Sequence, residues 1–186
     1  MLIRSTAAKL LAIRQVTQLN TGKKTAGVDG KKSLNHVERM KLLTLLNNAH
    51  DWVHKELRTI PIPKKNGKTR MLKVSTIADR AWQCLVKYAL EPAHEAVFHP
   101  YSYGFRVGRS AHDAQKIIFQ QLNSYHRGWE KSVIELDIRK CFDTIAHSAI
   151  MKRLIAPQYL KNVYFGALSR EVTRNFRNKE HPKAAL

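Results

Sequence analysis

The sequence predicts an α+β fold that is mostly helical, with one β-hairpin and an incomplete β-sheet. Apolar residues recur at the spacing of amphipathic helices through much of the chain. Two short alternating runs flank Asn66-Gly67, which is a good signal for a hairpin turn. A third alternating run, 133–138, has no convincing strand after it, although a stable sheet needs partner strands. We therefore expect the chain to be the front part of a larger fold.

Two helices separated by a loop are predicted for the N-terminal part. Residues 2–19 have the pattern of an amphipathic helix, and residues 20–32 contain three glycines, which indicates a loop. Ser33 can cap a second helix. The apolar positions of that helix are Leu34, Val37, Met40, Leu42, Leu43, Leu45 and Leu46.

The pattern then becomes strand-like and returns to helical. Residues 57–62 and 69–74 alternate, and Pro61 and Pro63 confine the first strand to a sheet edge or an irregular pairing. A long helix is predicted over 76–97, with Pro92 as a candidate break. The remaining predictions are a loop over 99–110, a helix over 111–125, a strand over 133–138 and helices from about His147.

The composition is that of a globular chain with a large excess of positive charge. Of 186 residues, 33 are Lys or Arg and 14 are Asp or Glu, giving a formal net charge of +19. Such a charge would repel itself in a free globule, so the expected partner is an acidic polymer. No apolar run approaches the roughly 20 residues that span a bilayer, so no membrane partner is expected.

The cysteines and the N-terminus bear on the cellular compartment. Cys84 and Cys141 can form neither a disulfide framework nor a metal-type pair, which favours an intracellular setting, either cytoplasm or organellar matrix. Basic residues interrupt the apolar positions of the first helix, which excludes a secretory signal. The absence of acids before Asp29 also fits an organelle transit segment, but a basic amphipathic helix is the preferred interpretation.

Positive charge is densest in two segments. Residues 61–80 contain six basic residues and one acid, and residues 151–186 contain eight basic residues and two acids. Both densities suit contacts with phosphates. A solvated basic face is the alternative, and for the second segment the two interpretations have equal weight.

Asp137 is the most informative carboxylate. It stands near the end of the apolar run 133–138, where an unpaired carboxylate would be costly to bury. Magnesium prefers carboxylate oxygens together with substrate phosphates. The residues alone leave two interpretations open, a metal ligand and a structural ion pair with Arg139 or Arg80.

Two other segments carry candidate contacts to phosphates and bases. Lys64 and Arg70 lie on opposite arms of the hairpin, which would suit a clamp on a triphosphate or a nucleic-acid backbone. The alternative is an exposed sheet edge protected by lysines. Residues 101–110 combine aromatic rings, glycines and two arginines, and such residues can stack on bases and hold phosphates.

Successive segments of the chain resemble the sequence blocks of the group II intron-encoded reverse transcriptases, of the retron and maturase type. They occur in the family's order and at its usual separations, over about residues 5–155. Several ordered blocks are far more specific than any one of them. The segments are Thr25-Ala26-Gly27-Val28-Asp29-Gly30, 62–70, Asp79-Arg80, 102–114 and 136–145.

The resemblance implies a right-handed polymerase fold. This chain would supply an N-terminal extension and the fingers over residues 1–126, and the start of the palm over residues 127–186. It further implies RNA-templated DNA synthesis and assistance to intron splicing, with RNA and an RNA/DNA primer–template as partners. In such enzymes, two Mg²⁺ ions activate the 3′-hydroxyl and stabilise the leaving pyrophosphate.

Individual roles follow from the resemblance at matched positions. Asp137 matches the first catalytic, metal-binding aspartate, and the carbonyl group of Ile138 would join it. Phe142 matches the aromatic residue that excludes a 2′-hydroxyl. The implied nucleotide-binding residues are Lys64, Arg70, Arg106, Phe142 and Ile138, and the implied nucleic-acid contacts are Lys65, Lys68, Tyr103 and Arg109.

The sequence also departs from the family pattern. Val107 and Met71 stand where the family often has proline, and neither the Tyr-x-Asp-Asp block nor the Gly-Thr-Pro-Gln-Gly-Gly block occurs. The first of these blocks supplies the other two carboxylates. One carboxylate cannot hold two magnesium ions in catalytic geometry, so we expect Mg²⁺ only in a complete site and no polymerisation by this chain alone.

Three hypotheses remain. The chain is the N-terminal portion of a reverse transcriptase, whether an interrupted frame or half of a split enzyme, with the C-terminal half or a second copy as partner. Alternatively, it is a non-catalytic RNA-binding protein, such as a splicing cofactor or a ribonucleoprotein component. The third hypothesis is an inert relic that folds poorly because its palm sheet lacks partner strands.

Overall fold

The computed structural model describes residues 2–139 and 141–163. Its helices are α1 (Thr6–Arg14), α2 (His36–Leu45), α3 (Ile77–Glu95), α4 (Ala111–Leu122), α5 (Cys141–Thr144) and α6 (His147–Arg153), and its strands are β1 (Arg58–Pro63) and β2 (Thr69–Val74). Turns of 3-10 helix cover Leu2–Arg4, Thr21–Lys24, Leu46–Asp51, Ser124–His126 and Gly128–Glu130, a π-turn covers Gln15–Leu19, and residues 158–163 are helical. The prediction of a mostly helical α+β chain with one hairpin is confirmed.

The chain divides into two compact units. The first combines the described residues up to Glu91 with those from Met151, and the second comprises Pro92–Ile150. The predicted boundary between residues 126 and 127 falls within the second unit. The helices predicted from about His147 lie partly within the described residues, and the basic segment 151–186 extends beyond them.

A hydrophobic core holds the first unit together. Apolar side chains of α1, α2 and α3 meet in it, and Leu160 is fully buried among them. The Trp82 indole Nε1 donates to the carbonyl oxygen of Ala49 at 2.8 Å, and its ring stacks on Trp52 with centroids 6.2 Å apart. None of the described helices is long and apolar enough to cross a membrane. Cys84 and Cys141 are free thiols.

α2 begins two residues later than predicted, and its N-cap is Asn35. The Asn35 side chain accepts a hydrogen bond from the Glu38 backbone N–H at 2.9 Å, and the Glu38 carboxylate accepts one from the Asn35 N–H at 3.0 Å. This reciprocal pair is a capping box, which requires an acceptor residue three positions before an acid. The prediction of Ser33 as the cap is wrong because the residue three positions after it is His36.

The predicted hairpin is confirmed, with Ile60 opposite Leu72 in an antiparallel pair. Across the turn, the Lys64 N–H donates to the Lys68 carbonyl oxygen at 2.7 Å, and the Gly67 N–H donates to the Lys64 carbonyl oxygen at 3.0 Å. Gly67 has φ +74°, a left-handed conformation that glycine adopts without steric cost. This geometry is a tight turn followed by a glycine bulge, which suits the right-handed twist of a hairpin.

The long helix after the hairpin is confirmed, but Pro92 does not break it. α3 continues through Pro92 to Glu95. Proline lacks a backbone donor. Its carbonyl oxygen still accepts a hydrogen bond from the Ala96 N–H at 3.3 Å, which closes the last turn.

The predicted strand over residues 133–138 is not formed. Residues 131–138 have no regular secondary structure and are exposed, including Leu136 at 88%. A strand requires a neighbour for its backbone groups and a layer to cover its apolar face. Within the described residues, β1 and β2 pair only with each other. The alternating pattern therefore identified a segment suited to a sheet, and the described chain offers it no partner.

Candidate nucleic-acid interface

The hairpin carries basic side chains on one face. Ile62 lies opposite Arg70 in the ladder, and Lys64 faces Lys68 across the turn. Opposed residues of two strands project to the same side, as do alternate residues of one strand. Lys64, Lys68 and Arg70 therefore share a face. The structure brings the predicted clamp residues Lys64 and Arg70 together and adds Lys68 to them.

The base of the hairpin is anchored and its tip is free. Val74 is buried, and the Arg58 guanidinium donates to the Ala26 carbonyl oxygen at 3.4 Å. Residues 61–73, which include Lys65, are all exposed. From residue 58 to residue 74 the sequence has six basic residues and no acid. The projecting arm is thus an uncompensated cationic surface of the kind that phosphate backbones bind.

Asp79 and Arg80 support the base of this arm from within. Arg80 donates to the carbonyl oxygens of Gly22 and Thr25 at 2.9 and 2.8 Å. Asp79 is 2% exposed and accepts hydrogen bonds from Trp52 at 2.9 Å and Thr76 at 2.6 Å. These contacts give Asp79 and Arg80 a structural role. The sequence analysis assigned neither residue to a binding or catalytic site.

The Asp79 carboxylate is ionised despite its burial. Desolvation by burial acts to raise its pKa, but hydrogen bonds from His54, Thr76 and Trp52 outweigh that effect and hold the pKa below its ordinary value. The His54 ring nitrogen Nδ1 lies 3.1 Å from the carboxylate. Asp79 therefore acts as a charged acceptor that joins residues 52–55 to the start of α3.

Steric crowding explains why residue 27 of the Thr25–Gly30 block is a glycine. A Cβ at Gly27 would lie 2.8 Å from the Thr76 Cα and 2.9 Å from the Ser75 carbonyl oxygen. Both of those atoms belong to the backbone, so neither can rotate away. The block thus lets the loop after α1 lie directly against the chain between β2 and α3.

Arg106 is enclosed by its own loop in the second unit. Its Nε donates to both Glu95 carboxylate oxygens at 3.1 Å, and its Nη1 donates to the carbonyl oxygens of His99 and Ser102 at 2.7 Å. The guanidinium also lies 5.4 Å from the centroid of the Phe98 ring. The side chain is 5% exposed. Its predicted contact with a nucleotide stays a prediction, because in this structure the guanidinium organises the loop.

Aromatic side chains of the same loop lie open to solvent. The Arg109 guanidinium is 5.5 Å from the centroid of the Tyr103 ring, so the structure brings these two predicted nucleic-acid contacts together. Phe105 is fully exposed and has φ +59°, which is rare for a bulky residue and is often found at functional sites. Sequence analysis did not single out Phe105. Its position between Gly104 and Arg106 was the available signal.

The predicted catalytic carboxylate lies on the irregular segment 131–138. Asp137 is exposed, and so is Ile138 at 70%. Among the described residues, Asp137 forms no ion pair with Arg139. Phe142 lies in α5, but its side chain falls outside the described part, so its predicted contact with the sugar stays a prediction.

The described residues do not form a magnesium site by themselves. The described part of the chain has no group of three or more His, Cys, Asp or Glu side chains that could hold a metal ion. Mg²⁺ requires near-octahedral oxygen coordination, of which Asp137 and the Ile138 carbonyl oxygen would supply only a part. No metal-dependent step therefore follows from these residues alone.

Two family models match the chain. The N-terminal domain of reverse transcriptase matches residues 1–46, and reverse transcriptase (RNA-dependent DNA polymerase) matches residues 62–184, which is more than half of the chain. The second match includes the hairpin tip, the loop that contains Arg106, and Asp137. The first match covers α1, the π-turn and all of α2.

Similar proteins include curated relatives with longer chains. Maturase-like protein 1 of Euglena gracilis is 38% identical over 97% of this chain and 40% of its own length. Protein YkfC of Escherichia coli is 36% identical over 74% of this chain and 37% of its own length. The group II intron-encoded protein LtrA of Lactococcus lactis is 32% identical over 71% of this chain and 22% of its own length.

The chain therefore spans about two fifths of the length of the maturase-like relative that it matches over most of its own length. The two family models match in the expected order along the chain. The relatives include a maturase-like protein and a group II intron-encoded protein, which agrees with the resemblance noted in the sequence. The chain belongs to the reverse transcriptase family and corresponds to the N-terminal portion of a group II intron reverse transcriptase/maturase.

Proposed function

We propose that this chain supplies the fingers and the start of the palm of an RNA-directed DNA polymerase that also assists intron splicing. On its own it binds RNA, and it polymerises only when further carboxylates complete the site. The observation that carries this proposal is the exposed hairpin arm, on which Lys64, Lys68 and Arg70 share a face without any nearby acid in the sequence. A phosphate-rich ligand neutralises such an arm.

Each candidate contact has a proposed task. Lys64 and Arg70 hold the triphosphate of an incoming nucleotide, and Lys65 and Lys68 contact the RNA backbone. Phe105 supplies a face on which a base can stack, which is a sequence-tolerant contact. Arg106 acts on the nucleotide through its loop.

The pair of Tyr103 and Arg109 is a further candidate contact, which belongs to the second unit. A guanidinium above a ring keeps its edge free to donate to a phosphate, while the ring limits its motion. The half-buried position of Tyr103 supports this arrangement, because partial burial restricts the motion of the side chain. We propose that this pair contacts the RNA template.

Asp137 is the proposed first carboxylate of a polymerase site that requires additional chain. Val133, Ile134 and Leu136 are each more than 70% exposed, and α4 of the same unit leaves Ile118 at 59% and Phe119 at 71% exposed. Apolar side chains at this density favour a covering layer. Further palm strands beside residues 133–138 would provide that layer, bring in the other carboxylates and create a place for Mg²⁺.

Primer extension on an RNA template with Mg²⁺ tests the enzymatic part. The chain is compared with a fusion that continues it with the C-terminal part of a related reverse transcriptase. We expect extension by the fusion only, and loss of that extension in its Asp137→Ala variant. Extension by the chain alone would show that another group replaces the missing carboxylates.

RNA binding tests the part of the proposal that concerns this chain by itself. Titration at several salt concentrations should give a strong salt dependence, and Lys65→Gln or Lys68→Gln, which remove the proposed backbone contacts, should lower its slope by about one counterion each. The matched control is Lys116→Gln, which removes one charge from the surface of α4. An affinity that does not change with salt would contradict the proposal.

The second candidate function is a non-catalytic RNA-binding protein, a splicing cofactor or a ribonucleoprotein component. The observation that favours it is the same cationic arm in a chain whose described residues lack a group of metal ligands. Measurements on the fusion protein distinguish the two candidate functions. In the binding hypothesis, Asp137→Ala leaves every measurable function intact, whereas the hairpin variants lose RNA affinity.

A further inference from the structure

A cavity in the first unit has a cationic lining. It measures about 620 Å³ and lies where the π-turn, the 3-10 turn after it and α2 come together. Three of its lining residues are basic, and three are uncharged polar residues. The lining is Thr17, Gln18, Lys24, Lys32, Ser33 and Arg39.

Arg39 has a buried donor that is not used. Its Nε is enclosed and has no hydrogen-bond partner. Buried polar atoms in proteins are almost always paired, so an unpaired guanidinium N–H calls for a ligand or a functional reason. The planar guanidinium presents parallel donors that match two oxygens of a phosphate.

Nearby acids do not neutralise the cavity. None of the described lining residues is acidic. Glu38 precedes Arg39, but its carboxylate accepts from the Lys31 ammonium at 2.7 Å and from the Asn35 N–H at 3.0 Å. Asp29 accepts from the Lys31 backbone at 3.3 Å. Lys31 therefore offsets much of the local negative charge. The positive charges of Lys24, Lys32 and Arg39 stay uncompensated.

The wall of the cavity is set by an unusual backbone turn. Gln15–Leu19 forms a π-turn, a form that is rare and often found at functional sites. Thr17 stabilises it by donating to the Ile13 carbonyl oxygen at 2.8 Å. The Thr17 hydroxyl hydrogen is thus engaged, and the anion would take its donors from the basic residues.

We propose that this cavity binds a phosphate group, and that the phosphate belongs to the backbone of bound RNA. Three cations around one cavity repel one another, and an anion between them removes that repulsion. The size of the cavity accommodates a phosphodiester with part of its sugars. The assignment to RNA rests on the proposed RNA-binding function, whereas the phosphate chemistry rests on the cavity alone.

RNA titration of point variants tests the site. Arg39→Gln and Lys32→Gln should each weaken RNA binding, roughly tenfold for Arg39, and each should lower the salt slope by about one. The matched control is Lys41→Gln. It removes the same charge from an exposed position of α2, about 200° around the helix from residue 39. We expect less than a twofold change for this control.

Titration with inorganic phosphate distinguishes binding of free phosphate from binding of the RNA backbone. Phosphate added to the chain should shift NMR signals of residues 15–19 and of the Arg39 Nε–H, and Arg39→Gln should abolish the shifts at 15–19. If the wild-type chain binds RNA and Arg39→Gln binds it equally well, the phosphate pocket is refuted while RNA binding stands. If the phosphate shifts occur but RNA does not bind, the assignment to RNA fails together with the proposed function. Thermal unfolding of the variants identifies any that fail to fold, and Lys32→Gln, at an exposed loop position, keeps the test available.

Discussion

Replacing Asp79 by Asn should destabilise the first unit strongly while preserving the shape of the side chain. One Asp79 oxygen accepts from Trp52 Nε1 at 2.9 Å and lies 3.1 Å from His54 Nδ1. The other accepts from the Thr76 hydroxyl at 2.6 Å and from the Lys55 N–H at 3.4 Å. Asparagine offers one acceptor oxygen where aspartate offers two, so its amide nitrogen must face donors on one side.

The least costly placement of the amide can be worked out from these distances. If the amide nitrogen faces Thr76, the Thr76 hydroxyl can reverse and accept a hydrogen bond from it. The longest of the four contacts, from the Lys55 N–H, is then lost. The remaining bonds then go to a neutral oxygen. Charge-assisted bonds contribute about 1.5 to 3 kcal/mol each, and an unpaired buried donor costs about 1 to 3 kcal/mol. The neutral amide avoids the desolvation cost of the buried charge, which offsets part of this loss. We expect a net loss of about 2 to 4 kcal/mol, which is a large share of the roughly 5 to 15 kcal/mol that a protein commonly has.

Urea unfolding followed by tryptophan fluorescence measures this loss, because Trp52 and Trp82 stack beside the carboxylate. The matched control is Asp29→Asn. Asp29 is exposed and accepts one bond from the Lys31 backbone at 3.3 Å, which an asparagine oxygen can also accept. The control should stay within about 0.5 kcal/mol of the wild-type chain. A change below about 1 kcal/mol in Asp79→Asn would refute the argument that this carboxylate joins residues 52–55 to α3.

Three further predictions concern Asp79 and other contacts that support the two units. Acid should destabilise the first unit, because the lowered pKa of Asp79 stabilises the fold above the ordinary value of 3.8 and that contribution is lost as the pH falls below it; a urea midpoint that is constant from pH 6 to pH 3 would contradict this. Gly27→Ala should cost about 1 to 3 kcal/mol through its backbone clash, whereas Gly104→Ala, which meets no described atom within 4 Å, should be near neutral in the same unfolding assay. Arg106→Gln should speed limited proteolysis of residues 99–110 more than Glu95→Gln does, because it also removes the bonds to the His99 and Ser102 carbonyl oxygens, and the double variant should match Arg106→Gln; a loss of nucleotide affinity in Arg106→Gln but not in Glu95→Gln would assign that guanidinium to the ligand.

Local chemistry explains why some elements could be predicted from the sequence. The hairpin depends on Gly67 and on short-range alternation, so its position was predictable within a residue. The cap of α2 depended on a reciprocal pair three residues apart, and Glu38 pointed to Asn35 rather than Ser33. Pro92 shows the opposite case, since it did not stop a helix that the sequence alone left open to a break.

Features that depend on distant parts of the chain were less predictable. The alternation of residues 133–138 encodes a strand, but its pairing depends on residues elsewhere, which the local pattern cannot supply. Arg106 shares one sequence block with Arg109, yet its guanidinium binds Glu95, eleven residues away. The cavity beside Arg39 combines residues from three elements, and no motif of adjacent residues marked it.

The burial of Leu160 in the first unit has a consequence for synthesis of the protein. That core combines α1, α2 and α3 with a residue that is translated 69 positions after Glu91. At roughly 5 to 20 residues per second, a ribosome needs about 3 to 14 s to make the intervening chain. During that interval the nascent core lacks the Leu160 side chain, although the hairpin has already been synthesised. The newly made basic arm can therefore meet RNA before the unit that supports it has closed.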